Sequence, residues 1–185
     1  MVIKLENNNV SIKGKDVSVL IVTTGSTARK FADDIILSGK RVEVSESSFL
    51  VANPGEYEIK DVFVYALDTN ESDEANIFSV LLEDVQVVYL NADTSEIDKS
   101  IVGQIGEDHI LIMDFADDKN LDKRLKLVSD FDPAVFIPVT QDDTLAKKIA
   151  NELGTDLPER ESKLKYSDTD FTDDEQSMAI ALLSK

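Results

Sequence analysis

The sequence predicts an α/β protein, with hairpins in its first half and alternating helices and strands in its second. The first observation is a series of short runs of strand-forming residues, separated by polar turns, that continues to Leu90. The second is the change of period after Leu90, where apolar residues recur every three or four positions. The third is the length: 185 residues, 42% of them apolar, suit a single domain over 1–185 with a substantial core.

Short strands are predicted at the start of the chain. Runs of β-branched and other strand-forming residues predict strands over 2–5, 10–12 and 17–22, with polar turns between them. A further short strand is predicted over 48–51. We therefore expect residues 1–25 to consist of short strands.

A Pro-Gly corner precedes the next hairpin. Proline presets φ at about −65° and glycine accepts a positive φ, so Pro54 and Gly55 predict a tight turn. Glu56 and Tyr57 then begin an alternation of polar and apolar residues with the period of a half-buried strand. A second strand is predicted over 62–67, after a polar two-residue turn, and the two strands form the hairpin.

The second half alternates strands with helices. Asp93 and Glu96 have the spacing of a capping box and predict the start of a helix. Further helices are predicted over 118–130 and 142–153, the latter ended by Gly154. The runs with the composition of strands are 77–82, 85–90, 109–113, 134–138 and 178–183.

The segment Pro54-Gly55-Glu56-Tyr57, followed by a valine-rich strand, resembles the metallo-β-lactamase-fold hydrolases, in particular the small branch similar to ascorbate-phosphate lactonases. The resemblance extends over most of the chain beyond this segment. It implies an αββα four-layer sandwich, in which two mixed β-sheets are flanked by helices. In that family the sandwich carries two metal ions, held by histidines and bridging carboxylates.

Other residues stand where the family has its metal ligands. The family's His-x-His-x-Asp-His loop follows a strand that 31–38 resembles, but the corresponding residues here, 39–45, include no histidine. Its Gly-Asp motif is replaced by an Asn-Ala-Asp segment, and the histidine of its late Ile-Pro-x-His segment is replaced by threonine. The vestigial positions implied by the resemblance are Gly39, Arg41, Asn91, Ala92, Asp93 and Thr140.

The counts of histidine and cysteine limit the chemistry. The chain has no cysteine, which excludes thiolate nucleophiles and cysteine-bound zinc, and its one histidine is His109. A dinuclear site of this fold needs several imidazoles, so we expect no metal, no cofactor and no catalytic residues. His109 precedes a strand, where a hydrogen-bonded strand-end residue is a better interpretation than a general base.

Carboxylates leave one alternative open. Oxygen ligands alone can hold Mg²⁺ or Ca²⁺, although an acid at a helix start ordinarily compensates the helix dipole. The alternative function is a hydrolase of a phosphoester or lactone that uses an unorthodox carboxylate-bound Mg²⁺ or Mn²⁺. It requires several of four acids to converge in one cleft: Glu56, Asp68, Asp93 and Asp114.

The charge of the chain bears on its partners. With 37 acidic and 19 basic residues the net charge is −18, which disfavours nucleic acid and leaves a basic protein or assembly as a possible partner. No apolar run is long enough for a membrane span and no signal-peptide pattern is present, so a cytoplasmic location is expected. The sequence thus predicts a non-catalytic binding or assembly module with the metallo-β-lactamase fold, and we expect a homodimer.

Overall fold

The computed structural model describes residues 1–28, 30–69, 72–103, 110–171 and 178–184. His109, predicted at the head of a strand, lies outside the described residues. The strands are β1 (Val2–Glu6), β2 (Asn9–Lys13), β3 (Ser18–Ile21), β4 (Ile35–Leu37), β5 (Phe49–Val51), β6 (Gly55–Ile59), β7 (Val62–Leu67), β8 (Ile77–Leu82), β9 (Val85–Leu90), β10 (Ile110–Asp114), β11 (Val135–Val139), β12 (Arg160–Glu161), β13 (Leu164–Lys165), β14 (Ala179–Ile180) and β15 (Leu182–Leu183). The α-helices are α1 (Lys99–Val102), α2 (Leu121–Phe131) and α3 (Asp143–Glu152).

Two mixed sheets form the body of the molecule. The first sheet has six strands in the order β13-β1-β2-β3-β4-β5, antiparallel from β13 to β3 and parallel from β3 to β5. The second has seven in the order β14-β11-β10-β9-β8-β7-β6, parallel from β14 to β9 and antiparallel from β9 to β6. A separate pair joins β12 to β15.

The main core lies between the two sheets. Because side chains alternate across a strand, Ile110 and Ile112 point into this core, whereas Leu111 and Met113 point to the outer face of the second sheet. The apolar sides of α2 and α3 pack on that outer face. The residues that the two helices bury there include Leu121, Leu125, Val128, Leu145 and Ile149.

Helices pack on the outer face of the second sheet, but the outer face of the first sheet is covered by a chain segment whose described residues are not helical. The chain between β3 and β5 packs over Leu20 and Ile36, and Phe31 anchors it. The N–H of Phe31 donates to the carbonyl of Glu43 at 3.2 Å, and the N–H of Ser45 donates to the carbonyl of Phe31 at 2.9 Å. The parallel connections from β3 to β4 and from β4 to β5 are therefore tied together by backbone hydrogen bonds outside the sheet.

Two-residue turns close the predicted hairpins of the second sheet. Lys60 and Asp61 have φ of 52° and 61° between β6 and β7, and Glu83 and Asp84 have φ of 53° and 62° between β8 and β9. This is type I′ geometry, whose twist matches that of the strands it joins. At the predicted corner, Gly55 has a φ of 152°, in a region that side chains disfavour. The hairpins are confirmed.

The structure differs from the prediction at Asp93. The N-cap of α1 is Asp98, whose carboxylate accepts the N–H of Ser100 at 2.8 Å, and the chain from Asp93 to Asp98 is not helical. The N–H of Asp93 itself donates to the side-chain oxygen of Asn91 at 3.1 Å. An asparagine-centred turn has therefore replaced the predicted capping box.

The last predicted strand is divided. β14 continues the second sheet beside β11, whereas β15 pairs with β12. In the described part of the chain, no helix is long and apolar enough to cross a membrane.

The predicted end of α3 is confirmed in detail. Gly154 has a φ of 69°, and its N–H donates to the carbonyl of Asn151 at 3.1 Å. The N–H of Thr155 donates to the carbonyl of Ala150 at 3.0 Å. These two bonds form a Schellman motif, which satisfies carbonyls that the helix leaves unpaired.

Replacing Gly154 tests this helix end. We expect Gly154→Ala to lower the free energy of unfolding by about 1 kcal/mol, because alanine disfavours positive φ. Gly154→Asn should lose less, since asparagine tolerates that conformation. Urea unfolding measures both changes. A Cβ at Gly154 would meet no atom within 4 Å, so a steric clash would not explain a loss. Equal losses for the two variants would contradict a conformational cause.

Candidate functional site

The carboxyl ends of strands from both sheets meet at one end of the sandwich. β3 and β4 of the first sheet end there, and so do β9, β10 and β11 of the second. A cleft of about 340 Å³ opens among the loops that follow, with Thr24, Asp114 and Thr140 in its lining. Of the six vestigial positions, Thr140 is in this lining, and the other five, which follow β4 and β9, are not.

Asp114, the last residue of β10, is the buried carboxylate of the cleft. It is 4% exposed, and its Oδ2 accepts the N–H of Thr24 at 2.6 Å and the hydroxyl of Tyr89 at 3.4 Å. Thr24 follows β3 in the first sheet and Tyr89 lies on β9 in the second, so a single carboxylate joins the two sheets. Burial, together with the nearby charge of Asp114, raises the pKa of Tyr89 well above its ordinary value. Tyr89 is therefore a neutral donor at pH 7.

A buried arginine holds the loops after β9 and β10. Arg124 of α2 is 2% exposed, and its guanidinium donates to the carbonyls of Asp114, at 2.9 Å, and Ala92. The guanidinium carbon lies 4.6 Å from the centre of the Phe115 ring, a cation–π distance. Burial lowers the pKa of Arg124 from its ordinary value, and the charge of Asp114 opposes this shift. Arg124 fixes Ala92 and Asp114 relative to α2.

The segment that stands in place of the family's Gly-Asp motif is a closed turn. The side-chain oxygen of Asn91 accepts the N–H of Thr94 at 3.0 Å and its hydroxyl at 2.8 Å, in addition to the N–H of Asp93. The N–H of Asn91 donates to the carbonyl of Asn76 at 3.1 Å. Asp93 is exposed at the surface of this turn. The Asn91 side chain thus serves the backbone of its own turn.

The loop after β4 passes close to the chain before β8. A Cβ added to Gly39 would lie 2.8 Å from the carbonyl oxygen of Ala75 and 3.9 Å from the amide nitrogen of Asn91. A side chain at position 39 would therefore require the backbone to move. Arg41 is exposed and does not line the cleft.

Thr140 lies in the cleft at the end of β11. It is 6% exposed, and its hydroxyl accepts the N–H of Asp142 at 3.2 Å. Asp142 caps α3 by accepting the N–H of Thr144 at 2.8 Å. Arg160 donates to the carbonyl of Thr140 at 2.9 Å. Asp142, the acid at the start of this helix, is therefore a helix cap.

The donors at these strand ends do not fit the two metal ions that the family carries. The described residues contain no group of three or more histidine, cysteine, aspartate or glutamate side chains placed to hold a metal ion. The buried donors here are one carboxylate, hydroxyls and amides, whereas a dinuclear zinc centre needs imidazoles and bridging carboxylates.

The acids required by the hydrolase alternative lie apart. Asp114 lines the cleft described above, whereas Glu56 lines a different one on the face of β6 and β7. The Asp68 carboxylate accepts the N–H groups of Ser72, at 2.5 Å, and Asp73, at 2.9 Å, which organises its own loop. These three carboxylates do not converge.

The scaffold motif lies at the open edge of the second sheet, away from this cleft. Pro54 and Glu56 are exposed, and Gly55 begins β6. Tyr57 packs against the main core, and its hydroxyl donates to the carbonyl of Asn53 at 2.9 Å. The motif shapes the corner, and none of its four residues lines the cleft that contains Asp114.

Three solved structures have a similar backbone. The first is a proposed zinc-dependent hydrolase of the metallo-β-lactamase superfamily from Thermotoga maritima, with a TM-score of 0.69 and 13% identity over 99% of both chains. The second is the metallo hydrolase Igni18 from Ignicoccus hospitalis, with a TM-score of 0.54 and 7% identity over 90% of this chain and 100% of that one. This chain has the metallo-β-lactamase fold.

The third is the metallo-β-lactamase fold protein YhfI from Bacillus subtilis, with a TM-score of 0.53 and 10% identity over 96% of this chain and 88% of that one. No protein-family model matches the chain, and no curated protein does. At these identities the likeness establishes the fold alone. The predicted fold class, a metallo-β-lactamase-like sandwich of two mixed sheets, is confirmed.

Two residues of the site were not singled out from the sequence: Tyr89 and Arg124. Tyr89 ends an apolar run and Arg124 lies in an amphipathic helix, where the ordinary expectation is core packing and an exposed charge. One signal was available for Arg124. It falls three residues after Leu121 and next to Leu125, on the buried side of α2.

Removing the Tyr89 hydroxyl tests its buried state. The unfolded chain releases phenolic protons above pH about 10, while folded Tyr89 retains its proton, so the free energy of unfolding should fall as pH rises past that value. Tyr89→Phe should weaken this dependence. Tyr166, whose pKa burial raises to about 12, acts in the same direction and should preserve part of it. Urea unfolding between pH 8 and 11 measures the slope, and an unchanged slope in Tyr89→Phe would count against the assignment.

Arg124 should be a large contributor to stability. Arg124→Met keeps an apolar stem over Phe115 but leaves one buried and one partly buried carbonyl without their donor, so we expect a loss of about 3 kcal/mol in urea unfolding. Its exposed neighbour Lys123 pairs with Glu96 at 2.5 Å, and Lys123→Met should cost less than about 1 kcal/mol. Equal losses in the two variants would contradict the structural role of Arg124.

Proposed function

We propose that this protein is a non-hydrolytic member of the metallo-β-lactamase fold that binds no metal pair and acts as a binding or assembly module in the cytoplasm. The proposal depends on one observation: polar groups near the positions of the family's metal ligands are hydrogen-bonded to other groups of the protein. Asp114 binds Thr24 and Tyr89, and the Asn91 side chain binds its own turn. Groups already engaged with one another supply few free donors to an ion.

The crowding at Gly39 supports the same proposal. The family's histidine loop would begin after β4, and the nearest carbonyl leaves a side chain no room at that position. A hydrolase using carboxylate-bound Mg²⁺ or Mn²⁺ is the second candidate, and the separation of Glu56, Asp68 and Asp114 argues against it. The homodimer remains a prediction, because the surfaces of a sandwich without a metal site are free to form interfaces.

Metal analysis tests the proposal directly. Protein purified without chelators should contain well below about one equivalent of zinc or manganese by mass spectrometry of the elements. Adding Zn²⁺, Mn²⁺ or Mg²⁺ at about 1 mM should leave the melting temperature unchanged, whereas a micromolar site would stabilise the fold by about 4 kcal/mol. Asp114→Asn serves as the control, and it should respond to each ion as the unsubstituted chain does.

The outcomes separate the parts of the proposal. A stoichiometric metal pair, or metal-dependent hydrolysis of a bis-aryl phosphate or a lactone that Asp114→Asn loses, would overturn the non-hydrolytic proposal. Native mass spectrometry measures the number of chains. A mass of one chain would refute the homodimer and leave the metal-free proposal standing.

A further inference from the structure

The outer face of the second sheet is only half covered. α2 and α3 pack over β9, β10 and β11, burying Val88, Leu111 and Phe136. On the other half, Phe63 of β7 is 51% exposed and Leu81 of β8 is 41% exposed. Exposed apolar side chains that adjoin one another can mark a contact surface, so this half of the sheet is a candidate.

The strand register brings these side chains together. Phe63 lies opposite Leu81 on one side and Glu58 on the other, while Tyr65 lies opposite Glu56 in the neighbouring row. Residues opposite one another share a face, so acids and apolar groups form one surface. We call these five residues, Glu56, Glu58, Phe63, Tyr65 and Leu81, the open face. Four of the five, all except Glu58, line a cleft of about 370 Å³.

The open face ends at an unpaired strand. β6 is the last strand of the second sheet, and no strand of the described residues pairs with its outer side. The two-residue turn makes Ile59 and Val62 a hydrogen-bonded pair, so Glu56 and Glu58 occupy the alternate positions, whose backbone groups point away from β7. These N–H and C=O groups are oriented to pair with one further strand.

The charge around this edge indicates the kind of partner. Glu56, Glu58 and Asp61 are exposed along β6 and its turn, and Lys60 of the same turn forms an ion pair with Asp34, which precedes β4 of the first sheet. A second copy pairing through β6 would place glutamates beside glutamates, and like charges opposite one another destabilise a strand pair. The edge is therefore complementary to a basic strand.

We propose that β6 and the open face bind an extended basic segment of a partner protein, which adds to the second sheet as an eighth strand. In that segment, lysine or arginine faces Glu56 and Glu58, and the aliphatic stems extend towards Phe63. The alternate residues are apolar and face the other side, where Tyr57 and the 45% exposed Phe49 meet edge to face at 6.1 Å between ring centres. This inference rests on the proposed binding function and names its surface and partner chemistry.

A peptide tests the inference. The probe is a labelled peptide of about ten residues in which lysine alternates with valine and isoleucine. We expect binding to the full chain, measured by fluorescence anisotropy at about 50 mM salt and weakened at about 300 mM. The same peptide with N-methyl groups on one edge cannot pair with β6 and should bind at least about tenfold more weakly.

Matched charge reversals locate the site. Glu56→Lys with Glu58→Lys should weaken binding at least about tenfold. Glu43→Lys with Glu46→Lys makes the same change in net charge at exposed positions elsewhere and should alter binding less than about threefold. Both double variants alter exposed side chains, and circular dichroism checks that each is folded.

Each result supports or overturns the inference. Absence of binding, equal loss in the two double variants, or indifference to N-methylation would overturn it. A dimer in native mass spectra that Glu56→Lys with Glu58→Lys alters would overturn it too, by making a second copy the occupant of β6. These failures differ from a failure of the proposed function, which the metal content and hydrolysis of the unsubstituted chain decide.

Discussion

The hydrogen bond from the Thr24 N–H to the Asp114 carboxylate is the constraint on which this end of the molecule depends. A buried carboxylate is costly unless donors surround it, and the donors here come from both sheets: Thr24 after β3 and Tyr89 on β9. Their common acceptor fixes how close the two sheets approach at this end. A short polar contact thus joins the strand ends of the two sheets in this molecule.

Arg124 extends that constraint into the outer layer. Its guanidinium reaches the carbonyls of Ala92 and Asp114 from α2, so two loops, a helix and a sheet are fixed by one buried side chain. Loops fixed in this way have little freedom to rearrange around an ion. The arrangement therefore accounts for stability at the strand ends, and the same fixed geometry supports the proposal that the site holds no metal.

The parts of the fold that were predictable are those set by local chemistry. The hairpin at Lys60–Asp61 and the end of α3 at Gly154 follow from alternation and from a residue suited to positive φ, both visible over a few positions. The roles of Tyr89 and Arg124 follow from contacts with residues far away in the sequence, which no local pattern reveals. The capping box at Asp93 failed for a different and local reason. Asn91, two residues earlier, offered the backbone a competing hydrogen-bond acceptor.

Protection from aggregation is an alternative explanation for the acidic residues of the open face, and it makes a different demand on the neighbouring strands. Glutamates on an edge strand do discourage pairing between copies, and Glu56 and Glu58 fit that role. A strand kept acidic only for this purpose gains nothing from exposed apolar residues on the next two strands, because those residues add to the hazard. Phe63 and Leu81 lie there nonetheless, in one row with Glu58. Acids that repel like strands, next to apolar groups that need a cover, together favour a partner that is basic and extended.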